Sequence, residues 1–509
     1  MKRFTLFLIT IILVFMMLPV SSIAFSAEES PVWDGKAAAE FAGGTGTAED
    51  PYIIQTAQQL AFFSRSVSLG TSSYENEYIK LANNIVLNDT SDWERWDTTA
   101  PVNKWTPIGS EMFGFRGTFD GNGFTISGIY CLASDHRGLF GYVYTGATVA
   151  NVGVVNSYIK GASDVGGVVG YAVSCTVSNC YYTGTVTGNR AVGGVVGYLN
   201  GGTVSGCYNT GAVRVVAVDG NNDGIGGVVG YAISSPTQPA SVINSCYNTG
   251  TITGTGNQTG GVAGSAISCA ITNCCNTGVI SGNKIIGGIA GYANNCAISR
   301  CCNMSAVSGT GEYVGGMAGW AVSCPIDNCY NTGMIKGDEN VGGIAGDAAS
   351  YGSVSGSIKN CYNIGTVNGN KKVGGIAGWV LGIKGWFSTG TVSNCYYLKQ
   401  TAVGGINSTD VSSRAVALTD TQLKLKETYT GWDIVGVWEF GGDPGYEYPT
   451  LIGVEHRKPG DSVSAADTDA KTGPSGGNRI LVILIICFVV AGFLAFYLFY
   501  SFKKASEKE

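Results

Sequence analysis

The chain has 509 residues, of which 45% are hydrophobic and only 13% charged, with a net charge of −6. That apolar share excludes a disordered chain, and the absence of a basic block outside the tails excludes a nucleic-acid partner. Its 77 glycines, against 12 prolines, exclude collagen and Pro-rich linkers, and they need a specific cause.

The first element is a leader. Met1-Lys2-Arg3 precedes an apolar run from Phe4 to Val20, and Ala24-Phe25-Ser26 gives a small-x-small cleavage pattern. Together they predict a secretory signal peptide over residues 1–26, with an uncleaved N-terminal anchor as the alternative. Further on, Thr56-Ala57-Gln58-Gln59 is a capping-box pattern that predicts a helix start, with Leu60, Phe62 and Phe63 facing inward. Asp120-Gly121-Asn122-Gly123 reads as a hairpin turn.

Residues 138–400 are repetitive. The heptad x-G-G-x-x-G-aromatic occurs at Val165–Tyr171, Val192–Tyr198, Ile225–Tyr231, Thr259–Ser265, Ile286–Tyr292, Val314–Trp320, Val341–Asp347 and Val373–Trp379, with a weaker first copy at Gly138–Tyr142. Successive copies lie 27 to 34 residues apart. A second motif, typically N-C-Y-N-T-G, follows each heptad. No segment carries a helical period, which excludes helical repeat arrays, and a unit near 27 residues is too short for a four-stranded propeller blade. Three short strands per unit predict an all-β, right-handed parallel β-helix (solenoid) of about 27-residue coils with short helical caps.

In a solenoid, equal positions stack about 4.8 Å apart and form ladders. Glycines supply positive φ and close backbone approach. Asn209, Asn248, Asn276, Asn303, Asn331 and Asn363 predict an amide ladder at a left-handed corner. Residues 27–137 are then the N-terminal cap with the first coils, and residues 401–455 the C-terminal cap, where Thr419 and Gln422 repeat the capping-box spacing. Such caps cover the open sheet edges of the solenoid. Residues 456–478 read as a stalk. The apolar run 480–500, inside a segment 479–502, is long enough for a transmembrane helix. Lys503 and Lys504, in the tail 503–509, place the C-terminus in the cytoplasm.

The repeats resemble GLUG repeats of bacterial secreted and surface proteins, some of which accompany immunoglobulin-A-cleaving metallopeptidases and others adhesin-like proteins. The segments Gly44–Val67, Trp105–Tyr130 and Leu418–Gly453 resemble the usual flanks of such arrays. The resemblance spans about Gly44 to Gly453 and implies a scaffold rather than a reaction. Asp469–Gly477 resembles a sortase signal only at Lys471-Thr472-Gly473, so a retained membrane anchor is favoured over sortase linkage to the wall of a Gram-positive cell.

Candidate sites follow from the ladders. HExxH is absent, and the two histidines, His136 and His456, offer little for a Ser-His-Asp triad. A β-helix polysaccharide lyase or hydrolase needs clustered carboxylates, and the repeats hold few acids: Asp164, Asp219, Asp223, Glu312, Asp327, Asp338, Glu339 and Asp347. No catalytic residue, cofactor or metal is therefore assigned. A ligand-binding aromatic stripe is expected at Tyr171, Tyr198, Tyr231, Tyr292, Trp320 and Trp379, with packing as the alternative. A second stripe runs Tyr181, Tyr208, Tyr247, Tyr330, Tyr362 and Tyr396. Cys180, Cys207, Cys246, Cys274, Cys301, Cys329, Cys361 and Cys395 form a ladder expected to pack as core, because a zinc site needs ligands that converge once. Cys275 and Cys302 take the tyrosine slot in adjacent coils and are the best candidates for an inter-coil disulfide. The sequence thus points to a surface-anchored, non-catalytic binding protein with a glycan or protein ligand; a polysaccharide-degrading enzyme and a passive spacer are the alternatives.

Overall fold

The computed structural model describes residues 31–454 apart from 133–134, 216–223, 351–355, 381–387, 390, 403, 408–413 and 442–445. The expected leader, stalk, membrane helix, tail and sortase-like stretch, together with His456, Asp219 and Asp223, lie outside the described residues. Among the described residues no helix is long and apolar enough to cross a membrane.

The architecture is an all-β parallel solenoid. One coil consists of the strands Ser163–Gly166, Val169–Ser178, Tyr181–Tyr182 and Thr185–Gly188. Each pairs in parallel with its counterpart one coil on, as in Val165 with Val192, Val169 with Val196, Tyr181 with Tyr208 and Thr185 with Ala212. The result is sheets of 20, 12, 9 and 9 strands, plus a two-stranded one near the C-terminus. The sequence suggested three strands per unit. A fourth exists because the residue before each heptad turns the chain: His136, Asp164, Ala191, Gln258, Ile285, Tyr313, Asn340 and Lys372 all have φ between 47° and 64°.

Inward-facing residues form aliphatic files. Val149, Val177, Val204, Ile243, Ile271, Ile298, Ile326, Ile358 and Val392 are in register on nine coils, and all are buried. The cysteine ladder lies beside this file. Burial pushes the thiols of Cys180, Cys207, Cys246, Cys274, Cys301 and Cys361 well above their ordinary value, so they stay protonated and apolar.

The amide ladder exists but not at a corner. Asn209, Asn248, Asn276, Asn303, Asn331 and Asn363 lie in short strands with fully buried side chains. The left-handed corner is taken three residues earlier, by Gly206, Ser245, Asn273, Arg300, Asn328 and Asn360. The second heptad glycine makes room for the buried amide. A Cβ on Gly288 would stand 2.5 Å from Asn303 Cγ and 2.1 Å from the Gly316 carbonyl oxygen. These glycines therefore serve close approach, not positive φ. Where the amide gives way to Tyr182 or Tyr397, Gly167 and Gly375 make the same room for a ring.

Helix α1 (Ala57–Ser68) caps the first coils and begins with the expected capping box. Leu60 and Phe63 are fully buried, whereas Phe62 is half-buried and meets Phe41 edge-on at 5.2 Å. Asp120–Gly123 is a corner rather than a hairpin. Asp120 Oδ1 accepts from the Asn122 N–H, and the flanking strands belong to different parallel sheets. Helix α2 (Asp420–Leu423) opens the C-terminal cap, also with a capping box.

Candidate ligand-binding surface

The heptad aromatics stack on the outside of the coils. Tyr142, Tyr171, Tyr198, Tyr231, Ser265, Tyr292, Trp320, Asp347 and Trp379 are in register on successive coils. Tyr171 and Tyr198 lie with ring centroids 4.8 Å apart and planes 2° from parallel, and Tyr198 and Tyr231 follow at 5.3 Å and 3°. Tyr171, Tyr198, Tyr231, Tyr292, Trp320 and Trp379 are each half-buried. Partial burial and the neighbouring Tyr171 and Tyr231 push the Tyr198 hydroxyl up to about 12, so the stripe is uncharged near neutral pH.

The left-handed residue before each heptad projects beside this stripe. His136 stacks on Tyr142 at 4.5 Å and pairs through Nε2 with Asp164 Oδ2 at 2.9 Å. Tyr313 stacks on Trp320 at 5.3 Å, and Lys372 Nζ lies 4.5 Å over the Trp379 ring. Sequence reasoning missed this second column. Its residues share no side-chain type, and only their common place, one residue before the heptad, marks them.

The second stripe divides into two parts. Tyr181, Tyr208 and Tyr247 stack at 4.8 and 4.7 Å. From Cys302 onward the C-terminal cap packs over the stripe. Trp438 lies 6.1 Å from Tyr330 and 5.9 Å from Tyr362, and Trp432 lies 5.7 Å from Tyr396. Arg300 fastens the cap by donating to the carbonyls of Gly436 at 3.1 Å and Ile452 at 2.6 Å. This half of the second stripe is therefore packing. Under the cap's edge Cys275 and Cys302 are joined by a disulfide, with their Cα atoms 4.6 Å apart. The eight ladder cysteines, together with Cys131, Cys175, Cys269, Cys296 and Cys324, are free and buried.

The insert Ser234–Ala240 folds against earlier coils, where Ser174 Oγ donates to Gln238 Oε1. Of the acids, Glu339 is ion-paired to Lys372 at 2.7 Å and Lys371 at 3.8 Å. Asp347 is 5% exposed, and burial raises its carboxyl to about 7 against the opposing pull of Lys372. No group of three metal-ligating side chains converges among the described residues.

The chain matches the GLUG motif at residues 161–187 and 188–215, each of them one coil. Halomucin of Haloquadratum walsbyi is 31% identical over 149 residues, which is 29% of this chain and 2% of that protein. A protein of Evansella cellulosilytica, provisionally named a Gly-rich membrane protein, is 32% identical over 121 residues, which is 23% of this chain and 12% of that protein. This chain thus spans only a small fraction of the length of either curated relative. A crystal structure from Bacteroides ovatus, provisionally assigned as an immunoglobulin A1 protease, shares 21% identity at a TM-score of 0.36, over 81% of this chain and 95% of that one. The chain is a parallel β-solenoid that carries GLUG repeats.

Proposed function

We propose that this chain is a cell-surface binding protein. Its leader exports the solenoid, the apolar run 480–500 holds it at the membrane, and the heptad stripe engages a glycan or protein ligand without chemical turnover. The observation that carries this reading is the in-register, half-exposed file of Tyr171, Tyr198 and Tyr231. Aromatic faces give large contact area at low entropic cost, and they are enriched where proteins bind partners. A rigid solenoid presents them without further ordering on binding. The name given to the Evansella relative, a Gly-rich membrane protein, agrees with a surface setting.

The test is adhesion of cells displaying the full chain to glycan and matrix-protein arrays. Replacing Tyr171, Tyr198 and Tyr231 together by alanine is expected to lower capture at least tenfold. Adhesion unchanged in that variant would overturn the stripe as the binding face. Adhesion restored by an unrelated solenoid of equal length would identify a spacer instead.

A further inference from the structure

The stripe is interrupted once by a charged residue type. Asp347 stands in register between Trp320 and Trp379. Two coil steps separate those tryptophans, roughly 9.6 Å at the spacing of adjacent strands. A carboxyl reaches much less far from the backbone than an indole, so the file is recessed between the two indoles with Asp347 as its floor, and the recess is closed in this structure, where Asp347 is 5% exposed and Lys372 lies over Trp379. Asn340, left-handed at φ 54°, supplies the rest of the floor. It holds the place beside Asp347 that Tyr313 holds beside Trp320 and Lys372 beside Trp379.

Two acceptors on that floor lack a donor. Asp347 Oδ1 and Asn340 Oδ1 are buried without a hydrogen-bond partner, in residues only 5% and 3% exposed. A buried acceptor left unsatisfied is destabilising, so two in one coil mark a place where donors are due from elsewhere. The occupant must offer several O–H donors and flat apolar faces, with about 3.5–4 Å of contact distance on each side. A pyranose ring meets both demands. A uronate or phosphate would face Asp347 and Glu339. A quaternary ammonium carries no donor, and the cation place on Trp379 is already held by Lys372.

We propose that Trp320, Asp347 and Trp379 form a subsite for one neutral sugar ring of an extracellular polysaccharide, with Asp347 Oδ1 and Asn340 Oδ1 accepting its hydroxyls. The subsite rests on the reading of the stripe as a binding face and gives it a ligand class and a position. Entry needs Lys372, which lies over Trp379 and pairs with Glu339, to swing aside together with an indole, side-chain motions that are fast compared with binding. The raised Asp347 carboxyl agrees with a floor shielded from water.

The experiment is native affinity electrophoresis of the detergent-solubilised full chain in gels containing a β-glucan, a xylan or a galactomannan. Retardation of the wild type by at least one of them is expected. Asp347→Phe completes the aromatic file and removes an orphaned oxygen, so it should raise Tm while weakening retardation at least tenfold. Asp347→Ser copies Ser265, which fills the same slot elsewhere on the stripe, and should weaken retardation equally if the Phe variant does not fold. Unchanged retardation in a folded variant overturns the subsite. So does a wild type that none of the three gels retards, and choline displacing the polysaccharide would move the ligand class to a cation. If the triple tyrosine variant loses adhesion while no neutral polysaccharide retards the wild type, this proposal fails and the stripe reading stands.

Discussion

Asn276 donates from Nδ2 to Oδ1 of Asn303 at 2.8 Å, and Asn303 passes the same bond to Asn331 at 2.7 Å. The file runs unbroken from Asn209 to Asn363, and each Nδ2 also holds a carbonyl two residues on, as Asn303 holds Ser305. Replacing Asn303 by alanine removes these bonds and leaves Asn331 Oδ1 without its neighbour's donor. We expect a loss of about 2–4 kcal/mol, read as a lower denaturant midpoint. A loss below about 0.5 kcal/mol, the usual scale of a surface change, would show that the amides contribute little.

The thiols should divide sharply. Alkylation of the native chain should leave the ladder cysteines unmodified, because burial keeps all of them out of reach and keeps Cys180, Cys207, Cys246, Cys274, Cys301 and Cys361 protonated as well. Denaturation without reductant should expose every described cysteine except Cys275 and Cys302, which mass spectrometry should recover as one linked peptide pair. Alkylation of both without reduction would refute the crosslink.

Trp438 is fully buried where the C-terminal cap meets Tyr330 and Tyr362, and its indole N–H donates to Asn328 Oδ1 at 3.2 Å. Trp438→Ala should cost about 3–5 kcal/mol, and most of that loss should appear as detachment of the cap. Limited proteolysis should then cut between residues 424 and 441 while the coils before residue 380 stay protected. Cleavage spread evenly along the chain would mean that cap and coils unfold together.

Asp347 should make stability depend on pH. Its carboxyl is raised from 3.8 to about 7, chiefly by burial, with Lys372 and the Ala348 N–H opposing. Below about pH 4 the carboxyl is protonated whether the chain is folded or not, and its contribution is fully present. As pH rises toward 7 the unfolded chain ionises while the folded one keeps its proton. Stability should therefore fall across that window by up to about 4 kcal/mol and then level off. Asp347→Asn should flatten the difference between pH 5 and pH 8, measured by denaturant titration; an unchanged slope would place its origin elsewhere.

The period of the solenoid was legible because register is strict: Val177, Val204 and Ile243 must meet, so their spacing is written into the chain. The two capping boxes were legible because each is complete within four residues. The inward course of the asparagines was not. Asn usually marks a turn, and only the three-dimensional approach of Gly288 to Asn303 shows where this one points. The covering of Tyr330 and Tyr362 was equally hidden, because Trp438 lies about a hundred residues from Tyr330. At Asp347 the sequence showed a departure from the heptad but could not show that two acceptors there lack donors.

The amide file has one more consequence, for length. Each coil offers an amide donor on one side and an acceptor on the other, so any coil between Asn248 and Asn331 meets its neighbours as they meet each other. A unit copied or deleted whole leaves every junction matched, whereas a partial one breaks the file. The solenoid can therefore change its reach in steps of about 4.8 Å without a new interface, and a lineage that keeps the amide in phase can lengthen or shorten the molecule as a ruler is lengthened, one division at a time.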